Sequence, residues 1–216
     1  HTKQGDIRLF FFAYDCNVNG ELRMKLRHGQ AGFFSDEELK NSGGVLWDPL
    51  TSGYDKSYIV EPAKIQSQFT SFNKTQIKKF ANGDIYGCFG PGFEIAQTHT
   101  RSPSIPNNKL LFLDEITHFE ADGGPWGRGY IRAVQKIDPN DWFFKGHFKN
   151  DPCMPGTLML EGGLQAILFY MSGIGYTLDR DGWRIECIPD QTYKLVCRGQ
   201  IIPSSREIVY EIFVYG

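Results

Sequence analysis

The spacing of apolar and polar positions divides the chain into segments of different period. Residues 6–16 (DIRLFFFAYDC) read as a strand, and residues 21–27 (ELRMKLR) alternate as its partner. Asn19-Gly20 between them is a tight hairpin-turn pair. In SDEEL, Ser35 as N-cap and Glu38 three positions on predict a capping box and a short helix. Residues 43–58 are rich in Gly, Ser, Pro and Asp and read as a loop. Residues 72–81 (FNKTQIKKFA) carry a helical period that stops at Asn82-Gly83. Residues 100–108 (TRSPSIPNN) form a polar, proline-containing linker and the best domain boundary.

Two strand-like segments follow, 109–119 (KLLFLDEITHF) and 127–137 (GRGYIRAVQKI), joined by EADGGPW. A long apolar stretch, TLMLEGGLQAILFYM, then predicts a helix to about Ser172. A loop, GYTLDRDGW, leads to strand patterns at 192–202 (TYKLVCRGQII) and 206–215 (REIVYEIFVY), split by Pro203-Ser204-Ser205. A helix that is apolar almost all round belongs in a core. Gly162 and Gly163 weaken such a helix unless something packs very close there. The fold class expected is α+β, a long central helix wrapped by an antiparallel sheet.

Composition narrows the function classes. The 216 residues are 41% hydrophobic and 14% aromatic, which suits a packed globular protein, and the 17 phenylalanines suggest a thick β core. A net charge of −2 gives no general field for nucleic acid, and no apolar run approaches a membrane span. Cys16, Cys88, Cys153, Cys187 and Cys197 are odd in number and scattered, which favours reduced thiols in the cytoplasm. The glycine-rich GCFGPGF (87–93) lacks the Gly-Lys-Ser/Thr of a phosphate loop and reads as a plain loop. Asn73-Lys74-Thr75 matches a glycosylation sequon that a cytosolic chain leaves idle.

The chemistry gathers in GHFKNDPCMPGTLMLEGG, residues 146–163. Glu161 lies inside the apolar helix, and Gln165, four positions on, shares its face and can hold it. Burial is expected to raise the Glu161 pKa and make it a proton donor. His147 stands fourteen residues upstream, with Pro152 and Pro155 stiffening the connection. Gly156 falls where backbone amides at a helix start are unpaired. A base, an acid and an oxyanion-binding amide are the parts needed to eliminate water from a 3-hydroxyacyl thioester. The same residues allow plainer readings: a structural histidine and carboxylate, a metal set of His147, Asp151 and Glu161, or a Cys153 nucleophile activated by His147.

DWFFKGHFKNDPCMPGTLMLEGGLQ resembles the active-site segment of hotdog-fold 3-hydroxyacyl-(acyl carrier protein) dehydratases. The shared pattern is His-Phe, Asp-Pro, Met-Pro-Gly, an acid fourteen positions after the histidine and a glutamine four further on. Together with HGQAGFFSDEEL and the long linker, it is most similar to the tandem dehydratase region of polyunsaturated fatty acid synthases. The resemblance implies His147 as base, Glu161 as acid, Gly156 as oxyanion donor, Gln165 as the group orienting Glu161, and a Cys153 carbonyl that orients His147. Glu in place of Asp at the acidic position puts isomerase activity in doubt. The family implies no metal and no bound organic cofactor; the acyl chain rides on the phosphopantetheine arm of an acyl carrier protein. It also implies hotdog–hotdog pairing, with His and acid contributed by opposite partners. The alternatives are a hotdog thioesterase and a non-catalytic scaffolding repeat.

On this resemblance residues 1–42 are expected to close a preceding hotdog repeat, 43–107 to link the repeats with a short helix, and 108–216 to form the catalytic repeat, cut at its C-terminus; the alternative is that strands 6–16 and 21–27 complete the sheet of the second repeat. The absence of an initiator Met from HTKQGDIRLFFF fits a cut edge at the other end. Lys145 and Lys149 flank His147, and Arg128 and Arg132 lie on the strand expected beside it, so these four are the expected carrier-docking patch.

Overall fold

The computed structural model describes all residues except 5, 6, 42, 44–46, 55, 187 and 198, so parts of the expected strands at 6–16 and 192–202, of the loop at 43–58, and Cys187 lie outside the described residues. The chain divides into two compact units, residues 1–46 and 47–216.

The first unit is a three-stranded antiparallel sheet in the order β1 (Thr2–Gln4), β2 (Ile7–Val18), β3 (Glu21–Phe33), followed by helix α1 (Asp36–Asn41). The hairpin turns at Asn19 (φ 52°) and Gly20 (φ 82°), the left-handed pair that matches strand twist. β3 continues past Arg27, where the alternation ends. His28 (φ 56°) and a register shift between Phe12 and Tyr14 let Gly29–Phe33 pair with Arg8–Phe12. Ser35 and Glu38 exchange the capping-box bonds (Glu38 amide to Ser35 Oγ, 3.3 Å; Ser35 amide to Glu38 Oε2, 2.7 Å).

The second unit begins with a one-turn helix α2 (Pro49–Ser52) and continues through α3 (Lys74–Ala81) and α4 (Ile85–Phe89). A sheet ordered β4 (Glu115–Glu120), β5 (Tyr130–Lys136), β6 (Glu207–Phe213) packs against α5 (Gly156–Gly173). Asn73 caps α3 in a reciprocal box with Gln76. All sheet pairings are antiparallel. The outer edge of β4 is covered in part by Phe72, which exchanges backbone bonds with Ile116.

The phenylalanine core differs from the expected β core. Phe169 on α5 meets Phe72, Phe80 and Phe89 at ring separations of 5.0, 5.1 and 4.9 Å. Residues 72–105, expected to be part of a linker, therefore supply much of the core: Phe72, Phe80, Phe89 and Phe93 are at most 1% exposed. The helix expected at 72–81 is present as α3, whereas α4, whose last residues lie in the glycine-rich stretch 87–93 read as a plain loop, was concealed by that composition.

Three further expectations change. The strand predicted from 109 begins at Glu115, after a 3-10 turn at Asn108–Leu110. The Leu110 carbonyl and Phe112 amide are taken by the Gln165 side chain instead of a neighbouring strand. Thr192–Ile202 forms no strand among the described residues. Its Ile201 carbonyl is committed to the Met154 amide (2.8 Å). Finally, α5 is not buried all round: Leu160 and Leu164 are 41% and 37% exposed.

Candidate active site

α5 begins at Gly156 behind Pro155, with no side chain capping its first turn. The next backbone bonds run from Leu158 and Met159 to the Pro155 carbonyl. The Gly156 and Thr157 amides have no acceptor among the described residues, so the helix start offers two free donors at the positive end of its dipole. The Cys197 thiol lies against Gly156: a Cβ there would come within 2.6 Å of Sγ. No spacing signal points to Cys197, because it stands in a segment patterned as a strand.

One turn along α5, Glu161 is half-buried and accepts a bond at Oε1 from Gln165 Nε2 (2.9 Å). Gln165 is 2% exposed. Its Nε2 also donates to the Leu110 carbonyl (2.7 Å), and its Oε1 accepts from the Phe112 amide (2.9 Å). Two backbone groups thus fix the amide's orientation, and the amide fixes the carboxylate. The i,i+4 pair is legible in sequence; the backbone clamp is not, since peptide groups are the same in every residue.

His147 follows a 3-10 turn at Trp142–Lys145. A small core of Phe112, Ile137, Phe143, Phe144 and Met154 anchors the chain on both sides of it. The loop closes on itself through Cys153 amide to His147 carbonyl (2.8 Å) and Phe148 amide to Asp151 carbonyl (2.9 Å). His147 Nδ1 lies 3.0 Å from the Cys153 carbonyl oxygen and 3.6 Å from its sulfur. A carbonyl oxygen only accepts, so Nδ1 carries a proton, and in the neutral ring the lone pair then lies on Nε2. Burial, and then the nearby Asp151 carboxylate, push the Cys153 thiol up, away from the thiolate a nucleophile needs.

The structure joins Glu161 to Gln165 and His147 to Cys153, but no hydrogen bond joins His147 to Glu161 among the described residues. No three His, Cys, Asp or Glu side chains converge as metal ligands among them either. Of the four basic residues singled out in the sequence, Lys145 and Lys149 are exposed. Arg128 instead donates to the Tyr58 carbonyl and lies 4.8 Å over the Tyr54 ring, and Arg132 donates to Thr117 Oγ1 (2.9 Å).

A long helix seated on an antiparallel sheet, with this histidine loop at its N-terminus, is a hotdog fold. The FabA-like domain description matches residues 105–216, more than half of the chain, and the chain belongs to that family. It is also 28% identical over 218 residues to a polyunsaturated fatty acid synthase polypeptide of Thraustochytrium sp., an alignment covering 95% of this chain and 14% of that protein. The chain thus spans about a seventh of the length of this relative. No helix among the described residues is long and apolar enough to cross a membrane.

Proposed function

We propose that the chain is the catalytic part of a dehydratase that converts carrier-bound 3-hydroxyacyl thioesters to trans-2-enoyl thioesters in fatty acid synthesis, including that of polyunsaturated chains. The observation that carries this reading is the pair of clamps: the Cys153 carbonyl on His147 Nδ1 and the Gln165 amide on Glu161. In the proposed reaction Nε2 of His147 takes the proton from C2. The thioester oxygen gains charge and is held by the Gly156 amide. Glu161 gives a proton to the C3 hydroxyl, the C3–O bond breaks, the C2=C3 bond forms, and water leaves. His147 and Glu161 come from paired hotdogs, each supplying one group. The chemistry is proton transfer by side chains, without a resident metal or organic cofactor, and the substrate arrives on the phosphopantetheine arm of an acyl carrier protein. Residues 1–42 are read as closing strands of a preceding repeat.

Mass spectrometry of a 3-hydroxyacyl-carrier substrate after incubation with the protein tests this. Loss of one water is expected; release of the free acid would make it a thioesterase. His147→Ala and Glu161→Gln should each lower turnover by at least about 100-fold while the circular dichroism spectrum stays native. Near-normal turnover in either variant would refute these roles.

A further inference from the structure

β5 and β6 turn alternate side chains toward α5, and that inner face is largely apolar. Ile131, Ala133 and Gln135 alternate along β5, and Gln135 is 4% exposed. A buried amide is costly unless its polar atoms are used. Gln135 Oε1 accepts a hydrogen bond from the hydroxyl of Tyr210 on β6 (2.7 Å). Tyr210 is itself buried, and its ring lies against Gly162 of α5, the residue that follows Glu161. We propose that Tyr210 and Gln135 are positioning residues for Glu161: their hydrogen bond fixes where α5 rests on the sheet, and thereby where the acid stands. The inference rests on the dehydratase reading and assigns to that reaction two residues outside the histidine loop and α5.

Packing carries the argument. Ala133 stands opposite Tyr210 in the β5–β6 register, and its small side chain leaves the space beside it to the ring. A Cβ at Gly162 would come within 2.3 Å of both Cζ and Oη of Tyr210, so the phenol end of the ring takes the place of a side chain on the helix. A phenylalanine ring there is free to tilt along α5, whereas the bond to Gln135 holds the tyrosine in one place. Gln165 grips the Glu161 carboxylate, and the Leu110 and Phe112 backbone groups grip Gln165. Those bonds fix the carboxylate relative to its own helix and to the segment before β4. The Tyr210 contact fixes the helix relative to the sheet, so a shift of α5 at Gly162 carries Glu161 with it.

Tyr210 is not a second acid. Its single hydroxyl proton is committed to Gln135, and an amide oxygen only accepts. Burial pushes the hydroxyl pKa up, so the bond keeps its donor at neutral pH. The demand for such support is steep, because a displacement of about 1 Å at a reacting group costs about 100-fold in rate. Tyr210 and Gln135 stand in two separate strand patterns, and no local spacing marks them as partners.

The test uses the full chain with two pantetheine thioesters, one 3-hydroxyacyl and one 3-chloroacyl. Loss of water breaks the C3–O bond and needs a proton from Glu161. Loss of chloride breaks the C3–Cl bond, whose electron pair leaves with chlorine, and needs no proton from an acid. Rates are taken per folded molecule, with the folded fraction read from circular dichroism. Tyr210→Phe removes one oxygen and keeps the ring. It should lower kcat for the hydroxy substrate about tenfold and move KM by less than about twofold. Its chloride elimination should stay within about twofold of the unmodified protein, since His147 and Gly156 are untouched. Gln135→Leu should show the same split, and the double variant no more loss than either single one, because all three lack the same bond. Unchanged water elimination in Tyr210→Phe, equal loss on both substrates, or losses that multiply in the double variant would each overturn the positioning role. Failure of the dehydratase reading is seen in the unmodified protein, which would then eliminate neither water nor chloride, and it takes this inference with it.

Discussion

The Gln165 amide uses both of its ends at once, donating to Leu110 and Glu161 and accepting from Phe112. Gln165→Leu keeps roughly the volume but strands the buried Phe112 amide and takes the partner from the Leu110 carbonyl and from Glu161. We expect a loss of about 1–3 kcal/mol in denaturant-monitored stability, because the unsatisfied buried amide carries its full desolvation cost. Activity should fall with it, as the Glu161 carboxylate loses its positioning bond. Asp141 presents the opposite case. Burial, then the neighbouring Asp138 and Asp114 carboxylates, raise its pKa, offset in part by the Asp138 amide. A carboxyl raised in the folded state binds its proton more readily there than in the unfolded chain. Stability therefore falls as pH rises from the unfolded pKa through the raised folded one. Asp141→Asn should raise the melting temperature at pH 7 by about 1–2 °C and lose that gain on acidification below the folded pKa, as thermal melts across pH will show.

At the scale of elements, α5 carries two adjacent glycines with different surroundings. A Cβ on Gly162 would stand 2.3 Å from the Tyr210 ring, whose hydroxyl is tied to Gln135 Oε1 (2.7 Å). A Cβ on Gly163 would meet nothing within 4 Å. Gly162→Ala should therefore cost about 1–3 kcal/mol, since overpacking forces the helix off the sheet. Gly163→Ala should stabilise the chain by about 0.5–1 kcal/mol through helix propensity alone. Urea titration of the two variants separates them by sign. The glycine pair was legible as a sign of close packing; which of the two was packed depends on the rotation of α5 about its axis, which Tyr210 on β6 sets.

For the molecule as a whole, the two units differ in what holds them. β2, β3 and α1 contain no fully buried side chain among the described residues, and Phe10, Phe11, Tyr14 and Met24 are 53%, 50%, 42% and 49% exposed. A three-stranded sheet without a covered face is marginal in water. In the second unit β5 lies between β4 and β6, with Ile131 and Ala133 fully buried. Hydrogen exchange of the protein by itself should show β5 amides protected at least about 100-fold more than those of β2 and β3. Equal protection would mean that the first sheet is covered in solution, by a second copy or another part of the protein.

Features that depend on neighbours along the chain were readable from residue spacing alone. The Asn19-Gly20 turn, the Ser35 and Asn73 caps, the extent of α5 and the Glu161–Gln165 pair all follow from spacing over a few residues. The His-to-Glu register pointed to the family in the same way. Which backbone finds which partner emerged only in the folded chain. Folding drew Phe72–Ile105 into the core around Phe169, and it gave the Leu110 and Phe112 peptide groups to Gln165, delaying β4 to Glu115. It also kept Thr192–Ile202 out of the sheet and laid Cys197 on Gly156. A strand pattern states that a segment can pair but not that an edge is free to receive it, and an aromatic residue states that it will be buried but not against what. Those outcomes rest on contacts between residues far apart in the chain, where local periodicity carries no information.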